Sequence, residues 1–203
     1  MTTRLSHSTA TYEPLGSRGT VRVGNTVRRQ RHASSRPIHA LLEHLRSVGF
    51  LAVPDVLGID DDGRDVLSWV EGDAGVEPIS PDVSSDQALV AVAGLIRRFH
   101  DATTTFRWEH GGWNSLLADP SGRSEVICHN DLSTHNIVYR RTNPVAIIDW
   151  EFATPGSRLW DLAYACVWFV PLHSPEHCAS AGWGIVDQAR RLRLFCDSYG
   201  LGS

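Results

Sequence analysis

The stretch Glu125-Val126-Ile127-Cys128-His129-Asn130-Asp131-Leu132-Ser133-Thr134-His135-Asn136-Ile137-Val138-Tyr139 decides the reading of this chain. Val126 to Cys128 is a short apolar run of the kind that forms a buried strand. It delivers a polar loop in which an acid, Asp131, is followed five positions later by an amide, Asn136. A second apolar run, Val145 to Ile148, ends abruptly in Asp149-Trp150-Glu151. A carboxylate at the end of a buried strand is costly to hold unless a cation or donors face it. Asp131, Asn136 and Asp149 are the groups that phosphoryl transfer requires. One carboxylate orients and deprotonates an acceptor hydroxyl; an amide oxygen and a second carboxylate are hard oxygen ligands for Mg²⁺. Taken singly, a loop Asp or Asn is an ordinary turn former. The ordered set H-x-D-x-x-x-x-N followed by D-[FW]-[GE], flanked by two strands, is what carries the reading.

Further along, Leu159-Trp160-Asp161-Leu162-Ala163 completes a pattern that resembles the aminoglycoside phosphotransferase and choline kinase family, a branch of the protein-kinase-like fold. The resemblance runs from about Gly19 to the C-terminus and includes Val66-Leu67-Ser68-Trp69-Val70-Glu71-Gly72, which is similar to the strand and hinge that join the two lobes of such proteins. It implies Asp131 as catalytic base, Asn136 and Asp149 as Mg²⁺ ligands, His129 as a brace of the loop and Asp161 as its buried anchor. It also implies ATP between the lobes, its adenine against the hinge backbone at Ser68, Trp69 and Val70, and a small hydroxylated molecule, aminoglycoside-like, as acceptor.

The rest of the chain fits an α+β, two-lobed architecture. Residues 1–15 are polar and without period, a disordered lead-in. An N-terminal nucleotide-binding lobe, 16–71, begins with two β-prone runs, Thr20 to Val23 and Thr26 to Arg29, around a Gly24-Asn25 turn. From Pro37, the residues Ile38, Leu41, Leu42, Leu45 and Val48 recur at helical spacing, with Gly49 as the stop. Val53 to Gly58 and Val66 to Val70 read as two further strands. A turn-rich stretch, Glu71 to Asp86, leads into the catalytic lobe, 72–203, where Leu89, Val92, Leu95, Ile96 and Phe99 form one helical stripe. Leu159 to Val170 and Ile185 to Tyr199 are expected helices.

Composition narrows the function classes. The 203 residues suit one large domain or two small lobes, at roughly 150 per domain. With 19 basic against 23 acidic residues the formal charge is −4, which argues against an electrostatic grip on nucleic acid. All 19 basic residues are arginine; lysine does not occur. That excludes a G-x-x-x-x-G-K-[ST] phosphate loop, a pyridoxal Schiff base and a Ser–Lys pair. Four well-separated cysteines signal neither a zinc ribbon nor a disulfide scaffold. The longest apolar run, Leu162 to Leu172, falls short of the about 20 residues a span needs. The expectation is a cytoplasmic protein with no membrane or nucleic-acid partner, monomer or homodimer.

Four features depart from the resembled pattern. Kinase-like proteins hold the nucleotide phosphates with a lysine in the third strand; here Val27-Arg28-Arg29 is the nearest equivalent, with Val27 and Arg29 on one face and Arg29 as the candidate clamp. Both arginines could equally be a solvated edge. The only acid on the following helix, Glu43, points away from its apolar stripe, so no carboxylate partner for the clamp is evident. Gly16 and Gly19 are a weak echo of a glycine-rich loop. The chain stops at Gly202-Ser203, where the resembled proteins continue with helices that wall the acceptor site. An open cleft and a part-uncovered apolar face on the last helix are therefore expected.

These departures keep a second function open, a nucleotide-binding pseudokinase without catalysis. A third, a metal-dependent hydrolase using His129, Asp131 and His135, has the residue types but not the spacing. His173 and His177 beside Cys178 are read as a solvent-exposed loop, because Pro171 and Pro175 flank them.

Overall fold

The computed structural model describes residues 12–15 and 19–202. Gly16 lies outside them. The N-terminal lobe is a five-stranded antiparallel sheet, a three-stranded meander joined to one hairpin through its third strand. Strands β1 (Tyr12–Leu15), β2 (Thr20–Val23) and β3 (Thr26–Arg29) are followed by helix α1 (Ser35–Ser47), then β4 (Val56–Ile59) and β5 (Asp65–Ser68); the spatial order is β1-β2-β3-β5-β4. The Gly24-Asn25 turn behaves as the sequence suggests, with Gly24 at φ 59°. Register places Val27 opposite Leu67 and Arg29 opposite Asp65.

Helix α1 buries Ile38, Leu41, Leu42 and Leu45, as its periodicity requires. Val48 does not join that stripe. It caps the helix with its backbone and lies 48% exposed, because Gly49 at φ 86° turns the chain there. Glu43 is exposed.

The chain leaves the sheet after Ser68 and enters the second lobe through Gly72. This glycine sits at φ 139°, and a Cβ on it would run into the Tyr139 carbonyl, so no other residue type fits the crossing. The stretch read as turns also contains a two-residue strand, β6 (Asp73–Ala74), and a short helix, α2 (Pro81–Ser84). Helix α3 (Asp86–Thr103) starts where Ser85 accepts a hydrogen bond from the Ala88 N–H. Its five-residue stripe from Leu89 to Phe99 is buried throughout. Beyond it come β7 (Val126–Cys128), β8 (Ile137–Arg140), β9 (Asn143–Ile147) and β10 (Thr154–Gly156), then α4 (Arg158–Phe169), α5 (Pro175–Ser180) and α6 (Gln188–Tyr199). β6, β8 and β9 form one ribbon, β7 and β10 another.

Further expectations need correction. Residues 12–15, read as part of a disordered lead-in, form β1 and pair antiparallel with β2, while the rest of that lead-in lies outside the described residues. Pro175 does not hold residues 173–177 in a loop: it occupies the first turn of α5, where its missing N–H costs nothing, and Ser174 caps the helix. His177 is exposed as expected, whereas His173 is half-buried and its ring meets His177 at 4.6 Å. The last helix begins at Gln188 rather than Ile185, which stands fully exposed before the Asp187 cap. On α6, Phe195 and Tyr199 are buried, while Leu192 remains 37% exposed.

Phe99 joins the two lobes. Its ring lies 6.2 Å from Phe50, at the end of the α1 segment, and 5.0 Å edge-on from Trp150, beside the second motif. Phe99→Ala is expected to cost about 3–5 kcal/mol, read as a lowered midpoint in urea unfolding.

Candidate active site

The loop between β7 and β8 is held by a buried carboxylate. Asp161, in the first turn of α4 and 0% exposed, accepts the His129 N–H on Oδ2 and the Asn130 N–H on Oδ1, each at 2.8 Å. The same Oδ2 lies 3.0 Å from His100 Nε2, and His100 Nδ1 lies 2.8 Å from the Tyr199 hydroxyl. A neutral His100 carrying its proton on Nε2 satisfies this chain of contacts, since Tyr199 then donates to Nδ1. Three helices, α3, α4 and α6, thus converge on the loop.

His129 is a brace, as the resemblance implies. It is fully buried; its Nδ1 accepts the Asp131 N–H at 3.3 Å and its Nε2 meets the Ile148 carbonyl at 2.9 Å. Both ring nitrogens are spent on the backbone of the two motif loops, so His129 is no metal ligand. His135 packs on Trp168 at 5.6 Å. With its nitrogens spent, His129 is lost to the hydrolase reading as a ligand. Among the described residues, no group of three or more His, Cys, Asp or Glu could hold a metal.

Asp131 sits in the cleft with Oδ2 accepting from Asn136 Nδ2 at 2.9 Å and Oδ1 accepting from the Tyr164 hydroxyl at 2.7 Å. Asn136 Nδ2 also donates to the Asp131 carbonyl at 2.9 Å, which leaves the amide oxygen as the group it can offer a cation. The Asn136 carbonyl accepts the Ile148 N–H at 2.9 Å, fixing the amide beside the second motif. Asp149 follows at φ 59° and ψ 65°, left-handed for a residue with a side chain, and its carboxylate is 49% exposed. Asn130 is likewise at φ 65°. Of the three non-glycine residues at positive φ among those described, Arg141 lies in the β8–β9 turn and the other two lie in the motif loops, the kind of strain that clusters at functional sites.

Across the cleft, Arg29 Nη1 stands 3.8 Å from Asp149 Oδ1, with the Arg29 side chain only 11% exposed. Its Nε and Nη2 are buried without a hydrogen-bond partner. Arg28 points elsewhere, to Asp60 at 3.2 Å. The carboxylate behind Arg29 is Asp65, 0% exposed: Arg29 Nε at 4.0 Å and Ser35 Oγ at 2.6 Å face Oδ2, while Arg31 Nε at 3.1 Å and His39 Nε2 at 3.3 Å face Oδ1. Burial pushes the His39 imidazole below its ordinary range, against the pull of Asp65. The counter-charge missing from α1 is therefore supplied by β5. The sequence reading missed Asp65; its signal was a lone acid at the start of an apolar strand, paired in register with Arg29.

The hinge is more occupied than expected. The Ser68 N–H donates to the Asp55 carbonyl at 2.9 Å, Ser68 Oγ accepts from the Asp55 N–H at 2.8 Å, and the Trp69 N–H donates to the Asn25 carbonyl at 2.8 Å. Two of the three N–H groups of Ser68 to Val70 are thus used within the lobe. The Trp69 ring lies under the Arg22 guanidinium at 4.1 Å, and Val27 sits in β3 opposite Arg22 and Leu67.

This geometry has counterparts among known proteins. The profile of the phosphotransferase enzyme family matches residues 112–190, which contain Asp131, Asn136, Asp149 and Asp161. The trifolitoxin immunity protein of Rhizobium leguminosarum bv. trifolii is 36% identical over 192 residues, covering 92% of this chain and 72% of that protein. The chain belongs to the aminoglycoside phosphotransferase and choline kinase family. Solved structures share the fold of this phosphotransferase. An aminoglycoside phosphotransferase of Streptomyces rimosus, in complex with ADP and streptomycin, aligns with a TM-score of 0.66 at 15% identity, covering 96% of this chain and 87% of that one. A choline/ethanolamine kinase family protein of Mesorhizobium loti aligns at 0.56 and 19%, covering 95% and 78%. As in that fold, a sheet lobe and a mainly helical lobe face each other across the site. No helix among the described residues is long and apolar enough to cross a membrane.

Replacing Asp161 by Ala strips two backbone donors and His100 of their common acceptor. Breaking such a buried charged network is expected to cost about 3–5 kcal/mol, measured by calorimetric unfolding. A loss below that of a surface Asp→Ala control contradicts the anchor role.

Proposed function

We propose that this phosphotransferase moves the γ-phosphoryl group of ATP to a hydroxyl of a small molecule. The observation that carries the reading is the pairing of Arg29, a buried guanidinium whose Nε and Nη2 make no hydrogen bond, Nε having only the ion pair to Asp65, with the exposed Asp149 carboxylate 3.8 Å away. Buried N–H groups without partners are costly, and the phosphates of a nucleotide supply the acceptors they lack. A guanidinium grips phosphate bidentately and cannot lose its charge, so arginine is a chemically adequate substitute for the lysine that is absent. Asn136 Oδ1 and the Asp149 carboxylate are the hard oxygen donors that would hold Mg²⁺, which when bound neutralises phosphate charge.

Asp131 is the base. The acceptor oxygen bonds to the γ-phosphorus, the bond to the β-phosphate oxygen breaks with its electron pair leaving on ADP, and the hydroxyl proton passes to Asp131. The adenine falls to the backbone from Val70 onward, since Ser68 and Trp69 have spent their N–H groups. The name of the Rhizobium relative, an immunity protein, and the streptomycin bound to the Streptomyces fold neighbour support a toxic or antibiotic hydroxylated acceptor, handled in the cytoplasm where ATP is available. The Arg29–Asp65 arrangement supports catalysis over a pseudokinase, because a cation and its carboxylate are both present.

A phosphoryl-transfer screen over hydroxylated antibiotics with labelled Mg·ATP tests the reading; binding of Mg·ATP with no transfer to any acceptor favours the pseudokinase. Asp131→Ala is expected to lose roughly 10²–10⁴ in transfer rate while Mg·ATP affinity, by calorimetry, stays near that of the parent. Arg29→Ala is expected to lower that affinity more than Arg28→Ala. The reverse order would place Arg28 on the phosphates.

A further inference from the structure

The base is not free. Asn136 and Tyr164 each cap one oxygen of the Asp131 carboxylate, but the two contacts differ in kind. Asn136 belongs to the same loop and is fixed by its second bond to the Asp131 carbonyl. Tyr164 reaches in from α4, three residues beyond the anchor Asp161 and therefore on its face of the helix. Its phenol donates to Oδ1 at 2.7 Å. An acceptor hydroxyl has to form that same O–H to carboxylate hydrogen bond before it can give up its proton. Burial, and then the hydrogen bond to Asp131, push the phenol up to about 12, so it remains a donor at working pH.

We propose that Tyr164 gates the base: its hydroxyl holds the acceptor position on Asp131 Oδ1 in the resting protein, keeps water from it, and yields only to an acceptor that brings its own hydroxyl. This rests on the reading of Asp131 as base. Without an acceptor, the competing reaction is hydrolysis. The water oxygen bonds to the γ-phosphorus, the bond to the β-phosphate oxygen breaks onto ADP, and the water proton passes to Asp131. The phenol occupies the place that water needs. Tyr164 is half-buried, and Trp168, one turn further, packs on His135 at 5.6 Å and His173 at 6.0 Å. The surface next to the phenol is thus built of rings.

Tyr164→Phe keeps the ring and removes only the hydroxyl. Acceptor-free hydrolysis of Mg·ATP is expected to rise roughly three- to tenfold, the range covered by one hydrogen bond, and to fall back in Y164F/D131N. A merely structural role predicts a fall in rate, not a rise. In nucleotide-free protein, carbodiimide coupling of glycine ethyl ester to Asp131, read by peptide mass spectrometry, is expected to be faster in Y164F. Hydrolysis that stays the same or drops, in a Y164F protein that binds Mg·ATP as the parent does, overturns the gate whatever the labelling shows. A parent that does not bind Mg·ATP overturns the phosphoryl-transfer reading, and the gate with it.

Discussion

Two backbone N–H groups pointing at one buried carboxylate hold this site together. Asp161 takes the amides of His129 and Asn130, and with them sets the direction in which the chain delivers Asp131. A buried anion is tolerated only when its hydrogen-bonding capacity is met, and here a third donor comes from His100, itself bound to Tyr199. Packing of α3, α4 and α6 is thereby converted into the position of a loop acid. His129 extends the same logic to the second motif by joining the Asp131 amide to the Ile148 carbonyl.

Much of this was legible in the sequence. The stripe from Leu89 to Phe99, the strand runs on either side of Asp131, and the acid at the end of β9 are local patterns of apolar spacing, and local patterns survive folding. Arg29 was separable from Arg28 by strand alternation alone, since its neighbour turns to Asp60. What was not legible is what register and helix docking create. Asp65 meets Arg29 only because β3 and β5 pair with those two residues opposite each other. Tyr164 meets Asp131 because α4 is docked through Asp161. His100, which looks like one more polar residue on a helix, becomes a structural ligand only once α3 lies under the loop. Val48 and Ile185 erred in the opposite way: both continued an apolar period past the residue where the backbone stops being helical.

The lysine-free composition has a structural answer. A guanidinium cannot shed its proton to relieve burial, and Arg29 stands between two carboxylates, Asp65 and Asp149. Asp65 is shared by Arg29, Arg31 and the ring of His39, with Ser35 adding a neutral donor. That carboxylate stands on a strand of the same sheet, and through Ser35 and His39 it also ties α1 to the pair.

The crossing between the lobes deserves a mechanical reading. Above it, the Trp69 amide is tied to Asn25; below it, β6 is stitched to Val138 and Tyr139, and the Gly75 amide to Thr134. Between them, Glu71 is held from both sides: its carbonyl accepts from Arg140 Nε at 3.3 Å and its carboxylate meets Arg22 Nη2 at 3.3 Å. A further mooring lies away from the crossing, where the Ile147 amide donates to the Ala52 carbonyl at 2.9 Å. The ribbon that carries Asn136 into β8 is thus fastened to the sheet lobe at two separate points, and the spacing between Arg29 and the acidic groups is set by backbone on both sides.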